Sequence, residues 1–284
     1  MAINDAVNIE DLHRMAKRRL PKIAFDFIEG GVEDERGLAR NRAAFEKHQL
    51  LPRYLVDVSK RDQSATIFGR KFNSPFGISP TGTAGLFRRG ADMMLAEAAR
   101  EANIPYIMSG GSNDSIETAA RIAPDNSWYQ MYAARDGAIS EDMVRRVADA
   151  GLGAIVLTVD VPVRPRRERN IRNRFATIRG TWLKAALSLK PAVLAEAITH
   201  PQWVVEYVRH GGTPTLENWV PYAHPGASVD EVVDLFGANT PAHAQTWREL
   251  EKYRRLFPRT LIVKGIMDPT EMPGMAGMMD FVRP

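Results

Sequence analysis

The stretch IPYIMSGGSNDSIETAARIAPDNSWYQMY, residues 104–132, decides the fold class. It opens with a short apolar run that ends in serine, passes through a helical segment over 114–123, and closes with a second apolar run over 127–132. A strand, a helix and a strand in this order are typical of a parallel β-α-β unit. The stretch therefore predicts an α/β fold built on a parallel sheet.

The same alternation extends to both sides of this stretch. The further predicted elements are a strand at 76–80, a helix at 91–103 with Leu95, Ala98, Ala99 and Ala102 on one face, a helix at 141–150, a strand at 154–160, a helix at 247–257 and a strand at 260–265. The first four strands begin 23 to 28 residues apart. This even step favours a TIM (β/α)8-type barrel over a doubly wound sheet, and no GxGxxG follows the first strand. With about five strands, the barrel is expected to be incomplete.

Three segments fall outside this rhythm. Residues 1–60 are polar and predict an N-terminal helical segment, and residues 161–245 predict an insertion between the fourth and fifth strands. Residues 269–284 form an atypical tail, since the 18 residues after Ile266 contain five of the twelve methionines. We therefore expect one barrel domain over 1–268, followed by this tail.

Composition narrows the class of protein. The 284 residues are 25% charged and 44% hydrophobic, which is ordinary for a globular protein. No apolar run approaches the roughly 20 residues of a membrane-spanning helix, and the N-terminus has no apolar signal core. The absence of cysteine excludes disulfides and thiolate catalysis. We expect a cytoplasmic location.

The net charge of +4 is concentrated in one basic cluster. Six arginines fall within eleven positions: Arg164, Arg166, Arg167, Arg169, Arg172 and Arg174. No nucleic-acid-binding motif accompanies them, so we expect no nucleic-acid partner. A solvated basic loop is the simpler interpretation for most of the cluster.

Polar residues end every predicted strand: Ser79, Pro80 and Thr81, then Ser109, then Gln130 and Tyr132, then Thr158 and Asp160, and last Lys264. In a barrel these ends converge on the face where active sites lie. Any one of them alone is better explained as a strand cap or turn former than as a functional residue. Five strands with this ending favour a functional site. Lys264 carries most weight, because a lysine in a barrel mouth is costly to bury unless it meets an anion.

Seven motifs, in order, carry a family resemblance: LPKIAFDFIEGGVEDE (20–35), SPFGISPTG (74–82), SIETAARIAP (115–124), WYQMY (128–132), LTVDVPV (157–163), RRERNIRNRF (166–175) and LIVKGI (261–266). Together they resemble the FMN-dependent 2-hydroxy-acid oxidoreductases, which include glycolate oxidase, quinone-linked L-lactate dehydrogenase and L-mandelate dehydrogenase. The resemblance runs from about residue 8 to residue 268. The stretch HPQWVVEYVRHG (200–211) is most similar to the mandelate and lactate dehydrogenase branch.

The resemblance implies FMN as cofactor. Its implied contacts are Pro80, Thr81 and Gly82 under the isoalloxazine, Ser109, Gln130 and Thr158 at the ring edge, and Lys264 near N1 and O2. The implied reaction passes the α-hydrogen of a small 2-hydroxy acid to flavin N5, while a base takes the hydroxyl proton and a 2-keto acid forms. Tyr132 and Arg167 match substrate-contacting positions, the arginine pairing with the carboxylate.

Two departures from the family are visible. Phe27 stands where the family has a substrate-binding tyrosine, which removes a hydrogen bond of about 0.5–1.5 kcal/mol and is expected to tune activity. The segment SNHGGRQ, which holds the family's base and a second arginine, does not occur. The histidines, all before Lys264, are His13, His48, His200, His210, His224 and His243. No catalytic residue is therefore identified, and no metal site is expected.

We interpret the chain as a C-terminally truncated or frameshifted member of this family, expected to retain FMN poorly and to turn over negligibly. A natural short member is the alternative. An oxygen-dependent 2-hydroxy-acid oxidase and a non-catalytic remnant or interaction module are the other functional alternatives.

Residues 181–210 mix apolar and basic side chains, and Pro191 and Pro201 divide them into short helices. They predict a surface that meets the membrane and gives access to quinone, with peripheral attachment to its inner face. A loop packed on its own barrel or on a neighbouring subunit is the alternative. The resemblance implies a tetramer for a complete chain.

Overall fold

The computed structural model describes residues 3–177, 183–184, 187, 191–242 and 245–267. The chain divides into two units, which are described separately. The first comprises Met1–Asp62 and Pro165–Thr213, and the second comprises Gln63–Arg164 and Pro214–Pro284. Residues of the 161–245 segment therefore belong to both units.

In chain order the α-helices of the described residues are α1 (Ile9–Arg19), α2 (Lys22–Glu29), α3 (Arg36–Glu46), α4 (Ala84–Phe87), α5 (Ala91–Ala102), α6 (Ile116–Ile122), α7 (Gly137–Asp149), α8 (Glu168–Arg172), α9 (Pro191–Ile198), α10 (Pro201–Arg209), α11 (Val229–Asn239) and α12 (Trp247–Leu256). The strands are β1 (Ala65–Ile67), β2 (Arg70–Phe72), β3 (Tyr106–Met108), β4 (Ser127–Met131), β5 (Ala154–Thr158) and β6 (Thr260–Lys264).

The first unit is helical and packs around α2. Asn8 caps α1 by accepting a hydrogen bond from the Asp11 amide at 2.8 Å, which satisfies a free N–H of the first turn. Helix α2 buries Ile23, Ala24, Phe25 and Asp26, and it contacts α8 and α9. Residues 48–60, within the segment predicted to be helical, contain no helix.

The second unit contains a parallel sheet in the order β3-β4-β5-β6 and an antiparallel β1-β2 hairpin. The predicted strands at 104–109, 127–132, 154–160 and 260–265 are confirmed. The strand predicted at 76–80 is instead a single parallel bridge between Ile78 and Tyr106. Pro80 has no N–H to donate to a ladder, which limits pairing there.

The two faces of this sheet differ in burial. Alternation places Met108, Tyr129, Ile155 and Leu261 on one face, where each is at most 1% exposed. This face packs under helices α5, α6, α7 and α12, and it forms the core with their apolar residues. The opposite face carries Gln130 and Thr158, together with the register partner of Thr158, Lys264. The polar strand ends therefore lie on the face away from the helices.

Arg146 ties α6, α7 and the segment after Pro214 together. Its guanidinium donates to both Glu117 carboxylate oxygens at 2.9 and 3.1 Å and to the Asn218 carbonyl at 3.1 Å. The Arg146 side chain is 17% exposed, so these bonds are partly shielded from water.

Replacing Arg146 with alanine is expected to lower the free energy of unfolding by about 2 kcal/mol, because it removes a bidentate charged pair and leaves a carbonyl unpaired. Urea unfolding followed by circular dichroism measures this loss. The matched control is Arg145→Ala, which removes an exposed i,i+4 pair with Glu141 and should cost less than about 0.5 kcal/mol. Equal losses of unfolding free energy in both variants would contradict the linking role given to Arg146.

Candidate functional site

Three buried polar side chains form a hydrogen-bonded row across the ends of β3, β4 and β5. The Ser109 hydroxyl donates to Gln130 Oε1 at 3.3 Å, and Gln130 Nε2 donates to Thr158 Oγ1 at 2.9 Å. The three side chains are 3%, 2% and 7% exposed. Buried polar groups are costly unless they are paired, so this row is held in one arrangement. The structure thus brings together three residues that the sequence analysis predicted.

Glycines bring backbone close to this row. The Gly110 amide donates to Gln130 Oε1 at 3.1 Å, and the Gly111 amide donates to Ser109 Oγ at 3.1 Å. A Cβ at Gly110 would lie 2.9 Å from the Gln130 carbonyl, so only glycine fits there. A Cβ at Gly82 would meet Ser109 Oγ at 3.6 Å and the Gly111 carbonyl at 3.9 Å. The half-buried loop Pro80–Thr81–Gly82 therefore runs beside the loop that follows β3.

Lys264 lies at the end of β6 beside Asp160. Its Nζ donates to Asp160 Oδ2 at 3.1 Å, and the side chains are 45% and 37% exposed. Gly265 has φ +112°, and a Cβ there would lie 2.5 Å from the Asp160 Cβ, so glycine permits this approach. The expected anion partner is thus a carboxylate of the chain, and the lysine is half exposed rather than buried.

Tyr132 follows β4 and packs beside two aromatic rings. Phe236 of α11 stands edge-on to Tyr132 with ring centroids 6.5 Å apart, and Trp219 stands edge-on to Phe236 at 5.1 Å. Trp219 Nε1 donates to the Gly110 carbonyl at 3.1 Å. Burial, and next the negative charge of Asp160, raise the pKa of Tyr132, so its hydroxyl stays protonated near neutral pH.

Phe27 and Arg167 lie together in the first unit. Arg167 Nη2 donates to the Phe27 carbonyl at 2.6 Å and to the Gly30 carbonyl, which pairs orphan carbonyls at the end of α2. The guanidinium also lies 4.9 Å from the Phe27 ring centroid, and that ring stacks on Phe175 at 4.3 Å. Arg167 therefore has a structural partner in addition to its predicted substrate.

The row and its surroundings suit the isoalloxazine of FMN. The pyrimidine edge of that ring presents carbonyl oxygens and a ring N–H, and the chain offers an amide, hydroxyls and an ammonium group. Gly82 presents backbone without a side chain beside Ser109 Oγ. The residues that would hold the ring are Gly82, Ser109, Gln130, Thr158 and Lys264.

Sequence reasoning missed Asp92, Gly110, Asn113 and Trp219, which fix the loop after β3. The pair of glycines in MSGGSND was a usable signal for a close backbone approach. Asp92 precedes the buried Ala96 and Ala99 by one and two turns, so it lies on the buried face of α5. A carboxylate on such a face indicates a buried polar partner.

The described part of the chain contains neither a membrane-crossing helix nor a metal-binding cluster. Among residues 3–177, 183–184, 187, 191–242 and 245–267, no helix has the length and apolar character needed to cross a membrane. The same ranges contain no group of three or more acidic or histidine side chains arranged to hold a metal ion.

A family model described as FMN-dependent dehydrogenase matches residues 16–275. The chain is 36% identical over 260 residues to (S)-mandelate dehydrogenase of Pseudomonas putida, an alignment that covers 92% of this chain and 63% of that protein. It is 31% identical over 266 residues to L-lactate dehydrogenase of Caulobacter sp. (strain K31), covering 94% and 67%. The chain thus spans about two thirds of the length of these relatives.

Solved structures give the same result. The crystal structure of the monotopic membrane protein (S)-mandelate dehydrogenase superposes with a TM-score of 0.86 at 34% identity, covering 96% of this chain and 70% of that one. The crystal structure of mandelate oxidase superposes with a TM-score of 0.72 at 30% identity, covering 96% and 66%. These matches confirm the predicted fold class, a TIM-barrel-type α/β fold.

Proposed function

The chain belongs to the FMN-dependent dehydrogenase family. From this premise we propose that the whole protein is an enzyme that oxidises an L-2-hydroxy acid to the 2-keto acid. FMN is the cofactor of the family. The observation that carries the proposal is the buried row Ser109–Gln130–Thr158 at the carboxyl ends of three neighbouring strands. The chain spans 63% of the mandelate dehydrogenase, so the proposed activity is that of the whole protein.

The row and Lys264 have distinct proposed tasks. FMN, when bound, accepts the hydride that leaves the α-carbon of the substrate. Gln130 and Ser109 orient the ring edge by hydrogen bonds, with Thr158 fixing the Gln130 amide. Lys264 supplies positive charge where the ring edge gains negative charge. Its ammonium group does not have to move into place during the reaction, because Asp160 already positions it.

Substrate contacts are proposed for Tyr132, Arg167 and Phe27. Tyr132 is protonated near neutral pH, so it donates a hydrogen bond to a substrate oxygen and does not act as the base. Arg167 pairs with the carboxylate through the guanidinium N–H groups that the α2 carbonyls do not use. Phe27 offers the substrate an aromatic ring, as the family's tyrosine does, but it has no hydroxyl to donate a hydrogen bond.

An aryl 2-hydroxy acid of the mandelate type is the substrate we favour over lactate. Tyr132 and Phe236 are half-buried and stand edge-on to each other beside the proposed flavin loop, with the buried Trp219 packed behind Phe236. Such a surface suits a phenyl group better than a methyl group. The 36% identity to (S)-mandelate dehydrogenase supports the same choice.

Anaerobic mixing of the FMN-loaded protein with substrate tests the proposal. For the whole protein, retention of FMN and bleaching of the flavin absorbance by (S)-mandelate, faster than by L-lactate or glycolate, is the expected result. Exposing the reduced protein to oxygen and then to a soluble quinone separates an oxidase from a quinone-linked dehydrogenase. A whole protein that retains no FMN in any of these conditions would overturn the proposal.

We further propose that quinone is the electron acceptor and that the protein attaches peripherally to the inner face of the cytoplasmic membrane, from the cytoplasmic side. The support is the similarity to a monotopic membrane protein and the short helices α9 and α10, which expose Ile198 and Val205. Exposed apolar residues beside basic ones suit an interfacial segment. A homotetramer is proposed for the complete protein, and sedimentation velocity tests it.

Exchanging Leu187 and Ile198 for glutamate is expected to abolish binding to vesicles of phosphatidylglycerol and phosphatidylcholine. These side chains are 80% and 64% exposed, and each buried apolar side chain is worth about 1.5–3 kcal/mol. Co-sedimentation measures binding. Phe45→Glu, at an 80% exposed position outside 181–210, is the matched control and should still bind. Failure of the unmodified protein to sediment would contradict the membrane proposal.

A further inference from the structure

Asn113 links the two loops that are proposed to hold the flavin ring. Its Oδ1 accepts a hydrogen bond from the Gly85 amide at 2.9 Å. Its Nδ2 donates to the Thr215 carbonyl at 2.8 Å and to the Pro214 carbonyl at 3.3 Å. One side chain thus joins the loop after β3 to the start of α4 and to a segment more than 100 residues later.

The contact at Gly85 is tight. A Cβ at Gly85 would lie 2.9 Å from Asn113 Oδ1, so the amide occupies the space that any side chain would need. Next to it the Thr83 amide donates to the Gly111 carbonyl at 2.8 Å. Two hydrogen bonds therefore fix the separation between residues 83–85 and residues 111–113.

Asp92 in turn holds Asn113. The carboxylate is 1% exposed. Its Oδ2 accepts from the backbone N–H of Asn113 at 3.1 Å, and its Oδ1 accepts from the Tyr106 hydroxyl at 3.2 Å. Burial raises the pKa of Asp92 above its ordinary value.

We propose that Asn113, oriented by Asp92, is a positioning residue that sets the spacing of the flavin-contacting loops 80–83 and 109–111. The inference rests on the proposed function, because the loops matter only if they hold the ring. Neither side chain touches the proposed ring contacts Gln130 or Thr158 through a hydrogen bond, so the effect passes through the backbone of the loops. A shift of a few tenths of an ångström in these loops changes the distances and angles of their contacts with the flavin ring.

Three variants of the full chain test this inference. Asn113→Ala removes both links, and Asn113→Asp keeps the acceptor for Gly85 but loses the donor to Thr215. We expect FMN to bind about tenfold more weakly to Asn113→Ala. Asn113→Asp is expected to bind FMN at least as weakly, because its carboxylate oxygen faces the Thr215 carbonyl. Both variants should shift the visible circular dichroism of the bound flavin. The control is Ser115→Ala. Ser115 caps α6 from the same loop, but its side chain does not link the two loops, so the substitution removes a cap and no link.

A second measurement does not depend on flavin. Hydrogen exchange of the Thr83 and Gly85 amides in the cofactor-free chain is expected to accelerate in Asn113→Ala and to stay unchanged in Ser115→Ala. If Asn113→Ala does not fold, Asp92→Asn is judged by the same two criteria. The inference is overturned if FMN affinity and flavin circular dichroism are unchanged, or if Ser115→Ala weakens FMN equally. An unmodified chain that binds no FMN would overturn the proposed function and the inference with it.

Discussion

Replacing Gln130 with leucine is expected to lower the affinity for FMN by at least about a hundredfold. Leucine has a similar volume but cannot accept from the Gly110 amide and Ser109 hydroxyl or donate to Thr158. Gly110 then keeps a buried unpaired N–H, which costs about 1–3 kcal/mol before any contact with flavin is lost. Titration of flavin fluorescence against protein measures affinity, and urea unfolding of the cofactor-free chain measures stability.

The neighbour Tyr129 provides the matched control. It lies on the same strand but on the opposite face, it is 1% exposed, and its hydroxyl is 3.9 Å from Met143 Sδ. Tyr129→Phe is expected to change FMN affinity by less than about twofold, because it perturbs the core side of the sheet only. Equal loss of affinity in both variants would mean that Gln130 acts through general stability and not through the flavin ring.

Much of the second unit could be predicted from sequence, because its signals are local. The apolar runs before Ser109, Gln130, Thr158 and Lys264 each gave a strand within a few residues of its bounds. The even spacing of the runs placed their ends at one edge of the sheet. The polar endings could therefore be grouped from the sequence alone, and the structure joins three of them by hydrogen bonds.

What could not be predicted depends on contacts distant in sequence. Ala98 and Ala102 fit an apolar stripe as well as Ala96 does, yet the structure exposes them and buries Asp92, Ala96 and Ala99. Helical spacing allowed either face, and the Tyr106 hydroxyl and the Asn113 amide decided it. Trp219 meets the Gly110 carbonyl across more than 100 residues, a pairing that no local pattern indicates.

The partner of Lys264 could also not be predicted from the sequence. A lysine after an apolar strand predicted a buried cation that awaits an anion, whereas the structure pairs it with Asp160 and leaves it 45% exposed. Asp160 follows β5 and Lys264 ends β6, so the pairing depends on the register of these neighbouring strands. Charge at this edge is therefore shared by two residues whose effects on a bound flavin oppose each other.

Opposite shifts of the flavin midpoint potential are the expected consequence. A unit cation a few ångströms from a developing anion contributes on the order of 4 kcal/mol at an effective dielectric of 20, and exposure reduces this. Lys264→Met should lower the two-electron potential by about 30–60 mV, which makes the flavin up to roughly a hundredfold harder to reduce. Asp160→Asn should raise it, because the cation is then no longer neutralised by its partner.

Equilibrium reduction against a redox dye measures both shifts. Lys252→Met is the control, since it removes the same charge from α12, where the lysine pairs with Glu141. A general effect of net charge would move Lys252→Met and Lys264→Met together, whereas a local effect moves only the second. Potentials that fall in both Lys264→Met and Asp160→Asn would show that the ion pair maintains the shape of the strand ends instead of tuning charge. The sign of the Asp160→Asn shift therefore separates electrostatic tuning by Lys264 from a structural role.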